Sequence, residues 1–211
     1  MPALAEAILL LVVLTDFAVL GISRMSACIR AVAIQGALLG ALSVIDGGWS
    51  LHAVALGLGT IAIKALLLPG FLRWAIREAA VRREVEPLVG YMPSFLLGAA
   101  ALVSSFAVAA RLPPTGSGAL LVPVALVTVM IGLIVLITRT KAITQVVGYL
   151  MLENGIYLFG LTQARRVPFL VEAGVLLDVF VAVFVMGIVV FHINREFDSI
   201  SAANLTELRE S

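Results

Sequence analysis

Cysteine occurs once in 211 residues, at Cys28, and histidine only twice. A lone thiol excludes a disulfide within the chain and any metal site built on cysteines. His192, near the end of the last apolar run, has no companion ligands at metal-binding spacing and reads as an interfacial anchor. Charge is scarce as well. Only 13% of the residues are Asp, Glu, Lys or Arg, and the formal net charge is +1. With no basic tract interleaved with aromatics, the chain has no electrostatic footprint for nucleic acid. Phosphate-cradling glycine loops and the signatures of soluble catalysts are absent too.

What fills the sequence instead is hydrocarbon: 62% of the residues are hydrophobic, and the mean hydropathy is +1.13. Such a chain expects a bilayer as its solvent. A spanning helix needs about 20 apolar residues, whereas a spanning strand alternates polar and apolar over about ten. The runs here are continuous and rich in Ala, Leu, Val and Gly, which predicts an all-α integral membrane protein of about seven transmembrane helices. The spans are read as 3 to 23, 27 to 46, 51 to 71, 90 to 110, 117 to 138, 142 to 164 and 168 to 192. Charge, Pro and Gly punctuate them at Arg24, Asp46-Gly47-Gly48, Arg111-Leu112-Pro113-Pro114, Arg139 to Lys141 and Arg165-Arg166. The first charges are the acids Glu6 and Asp16, the wrong sign for a cleaved leader, so the first span is expected to be retained.

One connection is longer. Residues 73 to 86 carry Arg73, Arg77, Arg82 and Arg83 against Glu78, Glu84 and Glu86, and stop at Pro87. This reads as an interfacial helical extension and as a seam. It divides the chain into a three-helix part with its extension (1–86), a fourth helix with connector (87–116), a second three-helix part (117–192) and a tail (193–211). With the N-terminus outside, nine basic residues fall on the inner side and three on the outer, so the positive-inside rule predicts a cytoplasmic C-terminus.

Ionisable residues inside a span cost about 2.5 to 3.5 kcal/mol each on insertion scales, so each must be paired, neutralised or wetted. Glu153 lies near the middle of the span 142 to 164, with Asn154 and Tyr157 on or beside the same helix face. Its alternatives are proton handling and a static interhelical hydrogen bond. Asp178 lies at similar depth in the last span, flanked one turn away by Gly174 and Ala182; a second acid there can exchange protons with the first. Glu172, nearer the outer end, reads as a mouth or capping residue. Lys64 lies deep in the third span, five residues before Pro69, whose ring removes a backbone hydrogen bond and kinks the helix. It suits either a proton relay or a static ion pair. Asp16, in the first span, is either a proton carrier or a structural tie to Lys64 or Arg30.

The run Gly148-Tyr149-Leu150-Met151-Leu152-Glu153-Asn154-Gly155, together with the tail from Asp198-Ser199-Ile200 to Leu205-Thr206-Glu207-Leu208-Arg209, resembles component E of hydrogenase-4-type complexes. Residues 117 to 211 are also similar to the three-helix K-type (4L) subunit of respiratory complex I and to the C subunit of multisubunit sodium/proton antiporters. In K-type subunits a glutamate on the middle helix and another on the last carry protons. The resemblance therefore implies proton transfer at Glu153, which follows Gly148 by five residues where the family has two, and at Asp178, an aspartate in place of the glutamate. Asp16 and Lys64 inherit nothing from it.

The resemblance implies a membrane-arm subunit of a complex I-related, hydrogenase-4 or formate hydrogenlyase-like complex. It would sit in a bacterial or archaeal cytoplasmic membrane. Its partners would be antiporter-like membrane subunits and peripheral hydrogenase-type subunits that hold the [NiFe] and iron–sulfur centres, with no cofactor in this chain. Proton transfer would rest on Glu153, Asp178, Lys64 and Asp16. Three alternatives use the same residues differently: a subunit of a multisubunit cation/proton antiporter, an assembly factor whose buried charges merely pair, and a retinal photoreceptor. The last requires a lysine in the final span, where none occurs.

Overall fold

The computed structural model describes residues 2–48, 50–78, 88–112 and 119–163, together with 180, 183, 186 and 187. Among the described residues every regular element is a helix: α1 (Pro2–Gly21), α2 (Met25–Asp46), α3 (Leu51–Thr60), a π-helical stretch (Ile61–Leu67), α4 (Leu68–Glu78), α5 (Tyr91–Ala109), α6 (Leu121–Thr138) and α7 (Ala142–Gln163). The first six spans read from sequence fall on these helices within a few residues. The seventh, 168 to 192, lies outside the described residues except for the helical Phe180, Val183, Met186 and Gly187, so the full count of seven is not reached among them. Glu172, Asp178, His192 and the tail also lie outside the described residues.

Among the described residues, five stretches are long and apolar enough to cross a bilayer: Ala3–Gly21, Met25–Asp46, Leu51–Arg77, Tyr91–Ala109 and Leu121–Thr138. α7 is as long as α2, but Glu153, Asn154, Gln145 and Gln163 dilute its apolar character. The third stretch is one continuous helix whose winding changes midway. Pro69 carries no N–H, and just before it Leu68 donates instead to the carbonyl of Ile63, five residues back. The kink expected at Pro69 is thus realised as seven π-helical residues, with Lys64 among them.

Small residues decide which helices touch. α6 and α7 pack most closely of all, because Gly132, Gly148 and Gly155 let the two backbones meet: a methyl group at Gly148 would lie 2.6 Å from the Leu136 nitrogen, and one at Gly155 equally near that of Val129. α1 and α2 then pack against this pair, α1 on α6 and α2 on α7, while α3 and the π-helical stretch lie along α2. Residues on either side of the seam at 73 to 86 therefore share one bundle.

Among the described residues, two apolar clusters fill its interior. One gathers Leu20, Ile29, Val32, Leu68, Leu72, Ile131, Val135, Val147 and Met151. The other gathers Ile8, Val12, Leu39, Leu42, Leu121, Val124, Leu158 and Leu161. Along each of α1, α2, α6 and α7 the clusters take opposite ends, and buried polar side chains sit at or near the junction between them.

Candidate functional site

The interval between the clusters holds Asp16, Gln35, Lys64, Thr128, Glu153 and Asn154, every one of them buried. Each comes from a different position of the packed bundle: Asp16 from α1, Gln35 from α2, Lys64 from the π-helical stretch, Thr128 from α6, and Glu153 with Asn154 from α7. Adjacent residues on a helix point about 100° apart, so α7 turns Glu153 toward the π-helical stretch and Asn154 toward α2.

Glu153 and Lys64 form an ion pair, Oε1 to Nζ 3.4 Å, with side chains only 1% and 4% exposed. At an effective dielectric constant of about 20, opposite charges at that separation attract by roughly 5 kcal/mol. Much of this offsets the desolvation of the two ions, so the pair is a poor source of net stability while remaining costly to break from one side. The Lys64 ammonium also lies 5.8 Å from the ring centroid of Tyr157, one helical turn beyond Glu153. The Tyr157 hydroxyl is 2.6 Å from Ser43 Oγ and 3.1 Å from Thr60 Oγ1. Ser43 gives its own proton to the Leu39 carbonyl at 2.9 Å, which leaves its oxygen to accept from Tyr157.

On the other side of α7, Asn154 Nδ2 donates to Gln35 Oε1 at 2.9 Å. Gln35 Nε2 donates to Asp16 Oδ1 at 2.8 Å, and its contact with Thr15 Oγ1 is longer, 3.3 Å. Thr128 Oγ1 donates to the second Asp16 oxygen, Oδ2, at 2.7 Å. Asp16 is therefore held by neutral donors. The tie to Lys64 or Arg30 entertained from sequence does not form: Lys64 pairs with Glu153, and Arg30 lies exposed on α2.

Of the four residues predicted to carry protons, the structure brings Asp16, Lys64 and Glu153 into one layer; Asp178 lies outside the described residues. Asn154 and Tyr157, named as companions of Glu153, flank it on two sides. Gln35, Thr128, Ser43 and Thr60 are not among the residues predicted from the sequence. Uncharged polar residues are cheap enough in spans that burial cost does not flag them. Gln35, the lone amide in the middle of its span, was the one available signal.

A further buried charge lies outside this layer, at the junction of α6 and α7. Arg139, read from sequence as a loop residue, is 1% exposed. Its Nη2 donates to the Leu20 carbonyl near the end of α1 at 3.0 Å, and its guanidinium carbon lies 5.9 Å from the Tyr91 ring centroid. The Leu88 N–H closes the same corner on the Thr138 carbonyl, 2.8 Å away. Cys28 is buried and forms no disulfide. Among the described residues no group of three His, Cys, Asp or Glu side chains is arranged to hold a metal ion.

The chain is similar to proteins of enteric and mycobacterial species. An uncharacterized protein of Mycobacterium tuberculosis is 36% identical over 189 residues, 87% of this chain and 86% of that protein. Hydrogenase-4 component E of Escherichia coli K12 is 31% identical over 150 residues, 69% of this chain and 68% of that protein, and hydrogenase-4 component E of Shigella flexneri matches to the same extent. No family model matches the chain, and no solved structure does.

Proposed function

The chain belongs to the hydrogenase-4 component E family and is a multi-pass membrane subunit of a hydrogenase-like complex, and we propose that its buried polar layer moves protons across the bilayer while partner subunits carry the electrons. The observation that supports this reading is the Glu153–Lys64 pair. Two opposite charges lie in the middle of a helix bundle, with hydroxyls and amides packed around them and apolar clusters on both sides. A single proton delivered to Glu153 weakens the attraction between it and Lys64, and the ammonium responds by shifting toward Tyr157 or by releasing a proton itself. A charge change at the edge of the complex, produced by electron transfer in a partner, biases that exchange through space.

In this reading Glu153 is the loading acid, Lys64 the gate and Asp16 a second carrier. The resemblance to K-type subunits read from the sequence would add Asp178 as a further carrier. The redox centres, [NiFe] and iron–sulfur, belong to peripheral subunits, and antiporter-like subunits lie alongside in a cytoplasmic membrane, with this chain's C-terminus inside.

The test is Glu153→Gln in the intact complex, reconstituted in vesicles with an internal pH dye. Electron transfer by the soluble subunits and assembly should persist while coupled acidification falls to the leak rate. Acidification at the wild-type rate would overturn the proposal. Membrane subunits alone in the purified assembly, without nickel or iron–sulfur partners, would favour the cation/proton antiporter instead.

A further inference from the structure

The chain of hydrogen bonds from Asn154 through Gln35 to Asp16 has a direction. An amide side chain has one accepting end and one donating end. Gln35 spends its oxygen on Asn154 Nδ2, and so meets Asp16 Oδ1 with its nitrogen. Both oxygens of Asp16 then accept, one from Gln35 and one from Thr128, which is the arrangement an ionised carboxylate requires. A protonated carboxyl needs an acceptor for its new O–H. The NH₂ of Gln35 cannot accept. A proton on Oδ1 therefore requires Gln35 to reverse its amide, which turns its NH₂ toward Asn154 and obliges Asn154 to reverse in turn. That second reversal takes place one residue from Glu153.

We propose that Gln35 is a positioning residue that couples the protonation of Asp16 on α1 to that of Glu153 on α7, through paired reversal of the Gln35 and Asn154 amides. The inference rests on the proton-transfer reading and adds to it a route by which two acids on different helices load as a linked pair. Thr128 sets how strong the link is. Its hydroxyl can turn and accept, so a proton on Oδ2 is absorbed locally, and only the Oδ1 proton propagates. Among the described residues, the titratable groups around Glu153 are Lys64 at 3.4 Å, with Tyr149 and Tyr157 one turn away on either side of it along α7. α5 and α6 bear no charged residue, and the charges of α2, Arg30 and Asp46, are exposed. Among the described residues, Asp16 is held by the neutral donors Gln35 and Thr128, with no ionic partner to mask a signal from Gln35.

A hydrophobic carbodiimide, which reacts with protonated carboxyls in apolar surroundings, reads the state of Glu153 without any transport. The intact complex is labelled at one fixed pH, and the modified fraction of Glu153 is measured by mass spectrometry in the wild type, Asp16→Asn, Gln35→Met and the double variant. Coupled sites typically change one another's occupancy about fivefold or more. Asp16→Asn is expected to change Glu153 labelling by that order, and the change should vanish in the Gln35→Met background. An equal change in both backgrounds, or none in either, overturns the inference. Should Gln35→Met fail to assemble, Asn154→Leu breaks the same bridge from the α7 side and is read the same way. Because labelling does not depend on pumping, a Glu153→Gln complex that still acidifies vesicles would overturn the transport reading and leave this cycle to decide the bridge.

Discussion

Gly36 on α2 lies so close to Lys64 that a methyl group at position 36 would come within 2.6 Å of Lys64 Cβ and 2.9 Å of its carbonyl carbon. Glycine here permits the contact of α2 with the π-helical stretch that brings Lys64 under Glu153. Gly36→Ala should therefore push the two helices apart at a cost of about 1–3 kcal/mol, the usual penalty of overpacking. A lowered unfolding midpoint of the purified protein in detergent is the expected result, together with slower acidification by the assembled complex. An unchanged midpoint would show that the helices separate freely.

The ion pair itself has a distinctive energetic signature. Lys64→Met leaves a buried carboxylate behind and should cost about 3–5 kcal/mol, whereas Lys64→Met combined with Glu153→Leu should recover most of the loss. Denaturant midpoints of the two single variants and the double variant give the coupling. Simple additivity would show that the two charges do not depend on one another.

Tyr157→Phe removes the hydroxyl that joins Ser43 to Thr60. Two buried hydroxyls then lose a partner, at about 1–3 kcal/mol. Adding Ser43→Ala should return part of that loss in the same unfolding measurement, because one of the stranded groups is then gone.

Arg139→Met should cost about 1.5–3 kcal/mol through the charged hydrogen bond to the Leu20 carbonyl. Arg139→Lys should restore less than half of it, since an ammonium lacks the planar fork that both bonds the carbonyl and lies against Tyr91. Full rescue by lysine would reduce the role of Arg139 to its charge alone.

Burial cost makes the acids and the lysine legible in the sequence: Asp16, Lys64 and Glu153 stand out because a charge in hydrocarbon demands a reason. The pairing was not legible. Which cation meets which acid depends on how helices rotate against one another, and that is set by glycines such as Gly36 and Gly148, whose contacts no spacing rule reveals. Hence the sequence offers Asp16 a tie to Lys64 or Arg30, yet in the structure it meets Gln35 and Thr128. Pro69 announced a distortion in the third span, but the π-helical form depends on where Leu68 places its hydrogen bond. Arg139 gives no signal in the sequence because a basic residue between two spans is ordinarily a solvated loop charge, whereas here the ends of α1 and α5 fold over it.

The position of the polar layer also has an electrical meaning. It lies near the middle of α2, α6 and α7, with an apolar slab toward either face, and so resembles a plate suspended between two insulators. A full elementary charge crossing a membrane does about 2.3 kcal/mol of work per 100 mV. A proton carried from one face only as far as Glu153 traverses about half the drop, so voltage contributes roughly 1 kcal/mol per 100 mV to its arrival. Under the proposed proton-transfer role, the filling of this layer would respond to the membrane's energisation as well as to pH.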